Sequence, residues 1–192
     1  MAMNSWSEFD QYASLTPASL LNEVARHMEN GYDNREQPDS TRFRAAHQLA
    51  HKGWRFPSGM YDTQSGQMTS GIKAIRALII CNKSNWFRSA ARRVDQDMRP
   101  TRRTSIEDAG TAQFVSSIAR GSSIYHLEAE DHVIFLTQTN SGWRIAGMIC
   151  KDALGSGIKD ALVMSAAMSR GCVIPAVSFT AIVAVCMQLL TG

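Results

Sequence analysis

Apolar residues recur at three- and four-residue intervals through the first two thirds of the chain, then appear in near-continuous runs. That order predicts helices first and strands late. Leu20, Leu21, Val24 and Met28 mark the buried side of a helix from about Pro17 to Asn30, with Thr16 as its cap and Gly31 as its stop. Phe43, Ala46, Leu49 and Ala50 define a second helix from Ser40 to Lys52, ended by Gly53. Between Trp54 and Gly71, the residues Pro57, Gly59, Gly66 and Gly71 predict surface loop or short strand.

Helical spacing resumes at Ile72, Ile75, Leu78 and Ile79, which predicts a helix to Cys81 behind Thr69 or Ser70. Another runs from Asn85 to Met98, capped by Ser84 and halted ahead of Pro100, since a residue before proline avoids helical dihedrals. The next spans Ile106 to Arg120, with Ser105 as the expected cap and Gly121 beyond it.

Strand chemistry is confined to a late stretch. Ser123–Leu127 reads as a strand, and Val133–Thr139 and Trp143–Ile149 flank the turn residues Asn140, Ser141 and Gly142 as a hairpin. Val133 to Leu136 is apolar without alternation, so that strand is expected to be covered on both faces. Two apolar helices are expected to follow, at Ile158–Ser169 and Ala176–Leu190. The predicted architecture is α+β: one helix-rich domain over residues 1–192, a small antiparallel sheet at about 123–149, and two closing C-terminal helices.

Composition changes this picture little. Of the 192 residues 44% are hydrophobic and 19% charged, which suits a chain that buries a core rather than a disordered one. Cys81, Cys150, Cys172 and Cys186 are scattered among apolar neighbours, the pattern of reduced thiols in a cytoplasmic protein rather than of a disulfide framework. Residues Met1 to Tyr12 lack the apolar run of a secretory signal.

Charge is informative because it is uneven. Net charge is +3, yet the window from Lys83 to Arg103 alone carries seven basic residues against Asp95 and Asp97. On the helix from Asn85, the residues Trp86, Ala90 and Val94 form a core-facing stripe, leaving Arg88, Arg92 and Arg93 towards the other side. Arg99, Arg102 and Arg103 crowd the loop around Pro100. Guanidinium groups fork onto phosphates or carboxylates in pairs, and two aspartates do not neutralise six of them.

Other candidate chemistry is thinner. His47 and His51 stand one helical turn apart and could share a metal, but no further ligand is tied to them by spacing, so no metal or cofactor is expected. Cys150 has the best setting for a reactive thiol, beside Lys151 and Asp152, with no partner histidine fixed by sequence. Gly66–Lys73 falls short of a phosphate-binding loop, because Ile72 separates Gly71 from Lys73 and Ala74 stands where a hydroxyl is needed. Cys172–Leu190 carries no charge and has the length of a membrane span, but Pro175, Ser178, Thr180 and Gln188 favour a core helix.

The expected function is non-catalytic binding of an acidic partner, nucleic acid or protein, through Arg88, Arg92, Arg93, Arg99, Arg102 and Arg103. A compact chain without motifs would suit an inhibitor or immunity-type factor of a phage or mobile element. Two other classes compete: a small enzyme using a Cys/His site, and a protein tethered to a membrane by its apolar tail. Self-association through the apolar C-terminal helices is a further expectation.

Overall fold

A computed structural model describes residues 15–55, 59–102, 106 and 108–151. In chain order the elements are α1 (Pro17–Tyr32), α2 (Thr41–Lys52), β1 (Gly59–Asp62), β2 (Gln67–Ser70), α3 (Gly71–Ile80) and α4 (Ser84–Asp97). There follow β3 (Arg99–Pro100), α5 (Ala109–Ala119), β4 (Ile124–Glu128), β5 (His132–Thr139) and β6 (Gly142–Cys150). The expected C-terminal helices, the segment Cys172–Leu190, and residues Arg103, Cys172 and Cys186 lie outside the described residues.

The architecture is mixed α+β, and the sheet is larger than the sequence pattern predicts. Six strands run in the order β2-β1-β6-β5-β4-β3 instead of three confined to about 123–149. β1 lies parallel to β6, pairing Met60 with Met148 and Tyr61 with Ile149, while all the other pairs are antiparallel. β1 and β2 fall in the stretch read as surface loop or short strand, left undecided because Gly59, Asp62, Gly66 and Gln67 break the apolar pattern. β3 is only two residues long, and one of them is proline, tolerable at a sheet edge because an edge strand can spare a donor.

Each face of the sheet is buried by different helices. Met60, Leu127, Ile134, Leu136, Ile145, Met148 and Cys150 turn towards α1–α4, where they join Leu20, Val24, Ile75, Leu78 and Phe87. Tyr61, Ile124, Val133, Phe135, Ala146 and Ile149 turn the opposite way, onto Phe114, Val115 and Ile118 of α5. This double cover explains the unbroken burial from His132 to Thr137. A register shift at Phe135/Leu136 lets Ala146 and Gly147 face the α5 side in succession.

Helix ends follow side-chain chemistry with three corrections, the first being that α1 runs through Gly31, its expected stop, to Tyr32 and is capped by Asp33. Thr16 accepts a hydrogen bond from the Ser19 amide, so its expected cap forms, and of Asp39 and Ser40, both able to cap α2, it is Ser40 that accepts one from the Phe43 amide. α5 begins at Ala109, later than expected, because the Asp108 carboxylate captures the Thr111 amide at 2.6 Å. Ser84, expected as the cap of α4, is its first helical residue, and Lys83 holds the cap position without a side-chain bond. Among the described residues no helix is long and apolar enough to cross a membrane.

Candidate functional site

The arginines divide by the elements that hold them. Arg88 on α4 reaches across to α1, where its Nε and Nη2 donate to the two carboxylate oxygens of Glu29 at 2.6 and 2.5 Å. That fork occupies the guanidinium face an external anion would use, and it holds the Glu29 carboxyl below its ordinary range, chiefly through the Arg88 hydrogen bond. Arg93 points along the sheet end. It donates to the Glu128 carbonyl at 3.0 Å and stands 3.5 Å from Asp97, while its Nε is buried with no hydrogen-bond partner among the described residues.

Arg92, Arg99 and Arg102 are exposed. Arg99 sits on the edge strand opposite His126, and among the described residues its side chain bonds only the carbonyl of its neighbour Met98, at 3.1 Å. Six arginines that look alike in sequence are thus two structural groups, Arg88 and Arg93, and three solvent-facing ones, with Arg103 outside the described residues.

Next to this edge, a cleft of about 360 Å³ opens on the α5 side of the sheet. Val133, Phe135 and Ile149 form its floor; Thr101, Asp108, His126, Glu128 and Lys151 form its polar mouth. Thr101 Oγ1 lies 2.9 Å from His126 Nδ1, and Glu128 is paired with Lys151. Burial pushes His126 down, with Arg99 and Lys151 acting the same way against the opposing pull of Glu128. At neutral pH this mouth therefore presents a neutral imidazole between charges of both signs.

A second histidine lies on the helical face of the same sheet end. His132 opens β5 and is 4% exposed; Trp86 of α4 stacks on it, with ring centres 4.1 Å apart and planes at 10°. Asp131 Oδ1 accepts from His132 Nδ1 at 2.6 Å. Burial is the largest influence on this imidazole and holds it below its ordinary value despite the carboxylate. The pair is therefore a neutral imidazole donating to Asp131, which leaves Nε2 as the basic nitrogen. Among the described residues Nε2 has no hydrogen bond. Lys83, at the cap of α4, places its ammonium 5.3 Å from the Trp86 ring.

Strand pairing sets Cys150 directly opposite His132, the sort of thiol–imidazole proximity a reactive cysteine needs. The thiol is nevertheless unsuited to attack. It is 1% exposed, lies 3.2 Å from the Met60 sulfur, and burial pushes it up to about 12. The half-exposed thiol of the neighbourhood is Cys81, in the turn between α3 and α4, packed against the core cluster that contains Trp86 and Cys150.

His47 and His51 do not form a metal centre with other described side chains. His47 Nε2 donates to the Ile72 carbonyl at 3.2 Å and its ring stacks on Phe43, so its role is to join α2 to α3. No cluster of three or more metal-ligating side chains occurs among the described residues. No family model, curated protein or solved structure matches the chain.

Proposed function

We propose that this protein binds an acidic macromolecule along the sheet edge, with Arg92, Arg99 and Arg102 making the contacts and Arg103 adding to them. The observation that carries this reading is Arg99: an exposed guanidinium on an edge strand, whose one side-chain hydrogen bond among the described residues goes to a neighbouring carbonyl. The field is weaker than the sequence implies, because Arg88 is committed to Glu29 and Asp95 and Asp97 share the same helix. It is also more localised, which favours a defined docking face over general stickiness.

Two details support a polyanion at this edge. Tyr125, paired with Pro100 of β3, and Trp143 form a half-buried aromatic pair with ring centres 5.5 Å apart, a surface on which planar groups stack. His126 and Thr101 offer neutral hydrogen-bonding groups next to Arg99. An inhibitor or immunity-type role fits a chain whose contact surface is built on a rigid sheet edge.

Salt titration of binding to single-stranded and duplex oligonucleotides and to polyglutamate is the test. The double variant R92E/R99E is expected to weaken binding by about 100-fold at low salt and to flatten the salt dependence by roughly two counterions on duplex DNA. Polyglutamate alone responding would identify the partner as an acidic protein. Binding to none of the three, or binding indifferent to both salt and charge reversal, removes the proposal.

A further inference from the structure

The cleft beside α5 and the arginine edge open on one face of the sheet. Arg99 is the cross-strand partner of His126, and directly paired residues share a face, with Cβ atoms about 5 Å apart. Thr101 follows Arg99 by two residues and continues the pairing, its amide donating to the Ile124 carbonyl at 2.9 Å. Glu128 follows His126 by the same interval. Alternation therefore turns Arg99, Thr101, His126 and Glu128 to the side on which Ile124 packs against α5. The Arg99 charge is accordingly felt at His126. A ligand the length of one nucleotide reaches from the guanidinium into the cleft.

Charge inside the cleft differs in kind from charge at the edge. Asp108 and Glu128 stand at the mouth, and its one lysine, Lys151, is paired with Glu128 and also donates to the Ala129 carbonyl at 3.2 Å. A further carboxylate entering there meets two of its own sign and an ammonium already engaged. An uncharged group meets no such repulsion, and the recess suits a flat one. Its floor is apolar, and the His126 and Phe135 rings stand 6.4 Å apart at 50°, two aromatic surfaces in one hollow. Hydrogen-bonding capacity remains at the rim. His126 turns Nδ1 to Thr101, and among the described residues neither its Nε2 nor Glu128 Oε2 has a partner. A volume of about 360 Å³ lies within the range of small-ligand sites.

We propose that this cleft receives one unpaired base of a single-stranded nucleic acid whose adjacent phosphate lies on Arg99. The assignment rests on the arginine edge being a polyanion surface, and it narrows the partner. A nucleotide separates its charge from its planar, neutral part, and this face of the protein makes the same division between edge and cleft. An acidic peptide has no obligatory flat, neutral group beside each of its charges. A duplex keeps its bases stacked and paired, so none is free to enter. In the cleft the base lies over the apolar floor, with its donor and acceptor edge towards His126 and the Glu128 carboxylate.

The test compares binding of the full chain to oligothymidylate, to an abasic strand of equal length and to polyglutamate, each at low and high salt. Oligothymidylate is expected to bind about tenfold more tightly than the abasic strand. R99E should weaken both strands, whereas H126A and the cleft-filling T111W should remove most of the advantage that bases confer. Because H126A also breaks the contact with Thr101, a second measurement uses the unmodified protein. A single 5-iodouracil in the strand is expected to photocrosslink at His126 or Phe135, located by peptide mass spectrometry.

Crosslinks at Tyr125 or Trp143 instead, which form their aromatic pair on the helical side of the sheet, overturn the proposal. Equal, salt-sensitive affinity for the two strands also overturns it and leaves the arginine edge standing as a phosphate surface. Binding of polyglutamate alone overturns it in favour of an acidic protein partner. If none of the three ligands binds, the base site and the arginine edge fall together.

Discussion

At the scale of single residues, side chains of one type take opposite roles according to a partner far away in sequence. Arg88 and Arg92 lie one turn apart on α4, yet Arg88 is forked by Glu29, 59 positions earlier, and Arg92 faces water. Helical periodicity places both away from the core stripe and cannot see Glu29, because only the packing of α1 on α4 brings that carboxylate within reach. The pair is more than a third exposed on both sides, so its contribution to stability is small, at roughly 0–1 kcal/mol after solvent screening. E29Q is accordingly expected to leave the urea midpoint nearly unchanged while releasing the Arg88 guanidinium. If the arginine edge extends up α4, affinity for a polyanion should rise several-fold in E29Q; an unchanged affinity would show that Arg88 lies outside the contact face.

Cysteines show the same limit. Cys150 looks reactive in sequence because Lys151 and Asp152 adjoin it, but in a strand successive side chains point to opposite faces. Its thiol is turned into the core towards Met60, and Lys151 is turned to the cleft and Glu128. Local charge in sequence is therefore no guide to the field at a strand thiol. The His132–Trp86 stack was equally illegible, since Trp86 carried only the signal of a core stripe and no spacing in sequence ties His132 to α4.

At the scale of elements, the helices and the β5–β6 hairpin were legible because each carries its own periodicity and stop signals. Gly142 has φ of 98°, the left-handed geometry that the Asn140-Ser141-Gly142 turn called for. β1 and β2 were legible only as surface loop or short strand, and β3 not at all, because their stability comes from neighbours rather than from their own patterns. β1 reaches the sheet through a long-range parallel pairing with β6, and Gly147 on β6 shows how tightly that junction is closed. A Cβ there would stand 2.9 Å from Phe114 Cζ, 3.1 Å from the Gly59 carbonyl oxygen and 3.2 Å from Ile118 Cγ2. The carbonyl belongs to β1 backbone and cannot rotate away, so either β1 or α5 must shift. G147A is expected to lower stability by roughly 1–3 kcal/mol, measured as a lower urea midpoint at unchanged slope. A G147A midpoint equal to that of the unmodified protein would mean that α5 docks more loosely than these contacts imply.

At the scale of the whole molecule, the two layers on either side of the sheet share one electrostatic property. Burial, ahead of any other influence, holds His47, His51, His126 and His132 below their ordinary value of 6.5. His47 joins α2 to α3, His126 lines the cleft beside α5 and His132 anchors α4 to β5, so protonation loads every layer at once. In each case the unfolded chain takes up a proton more readily than the folded one. Their contribution to stability is therefore complete above about pH 6.5 and is lost as pH falls through the lower folded values. Glu23, Glu29 and Glu128 are also held below their ordinary 4.5, by Arg26, Arg88 and Lys151 respectively, and their contributions are lost further down. Acid should thus unfold the protein in two legs, the first between about pH 6.5 and 4.5 and belonging to the histidines. Urea titrations at pH 7.5 and pH 5 are expected to show a clearly lower midpoint at pH 5, partly restored by H47Q, whose amide can still donate to the Ile72 carbonyl. A midpoint that stays level or rises across that interval would mean that the imidazoles are protonated as easily in the fold as outside it.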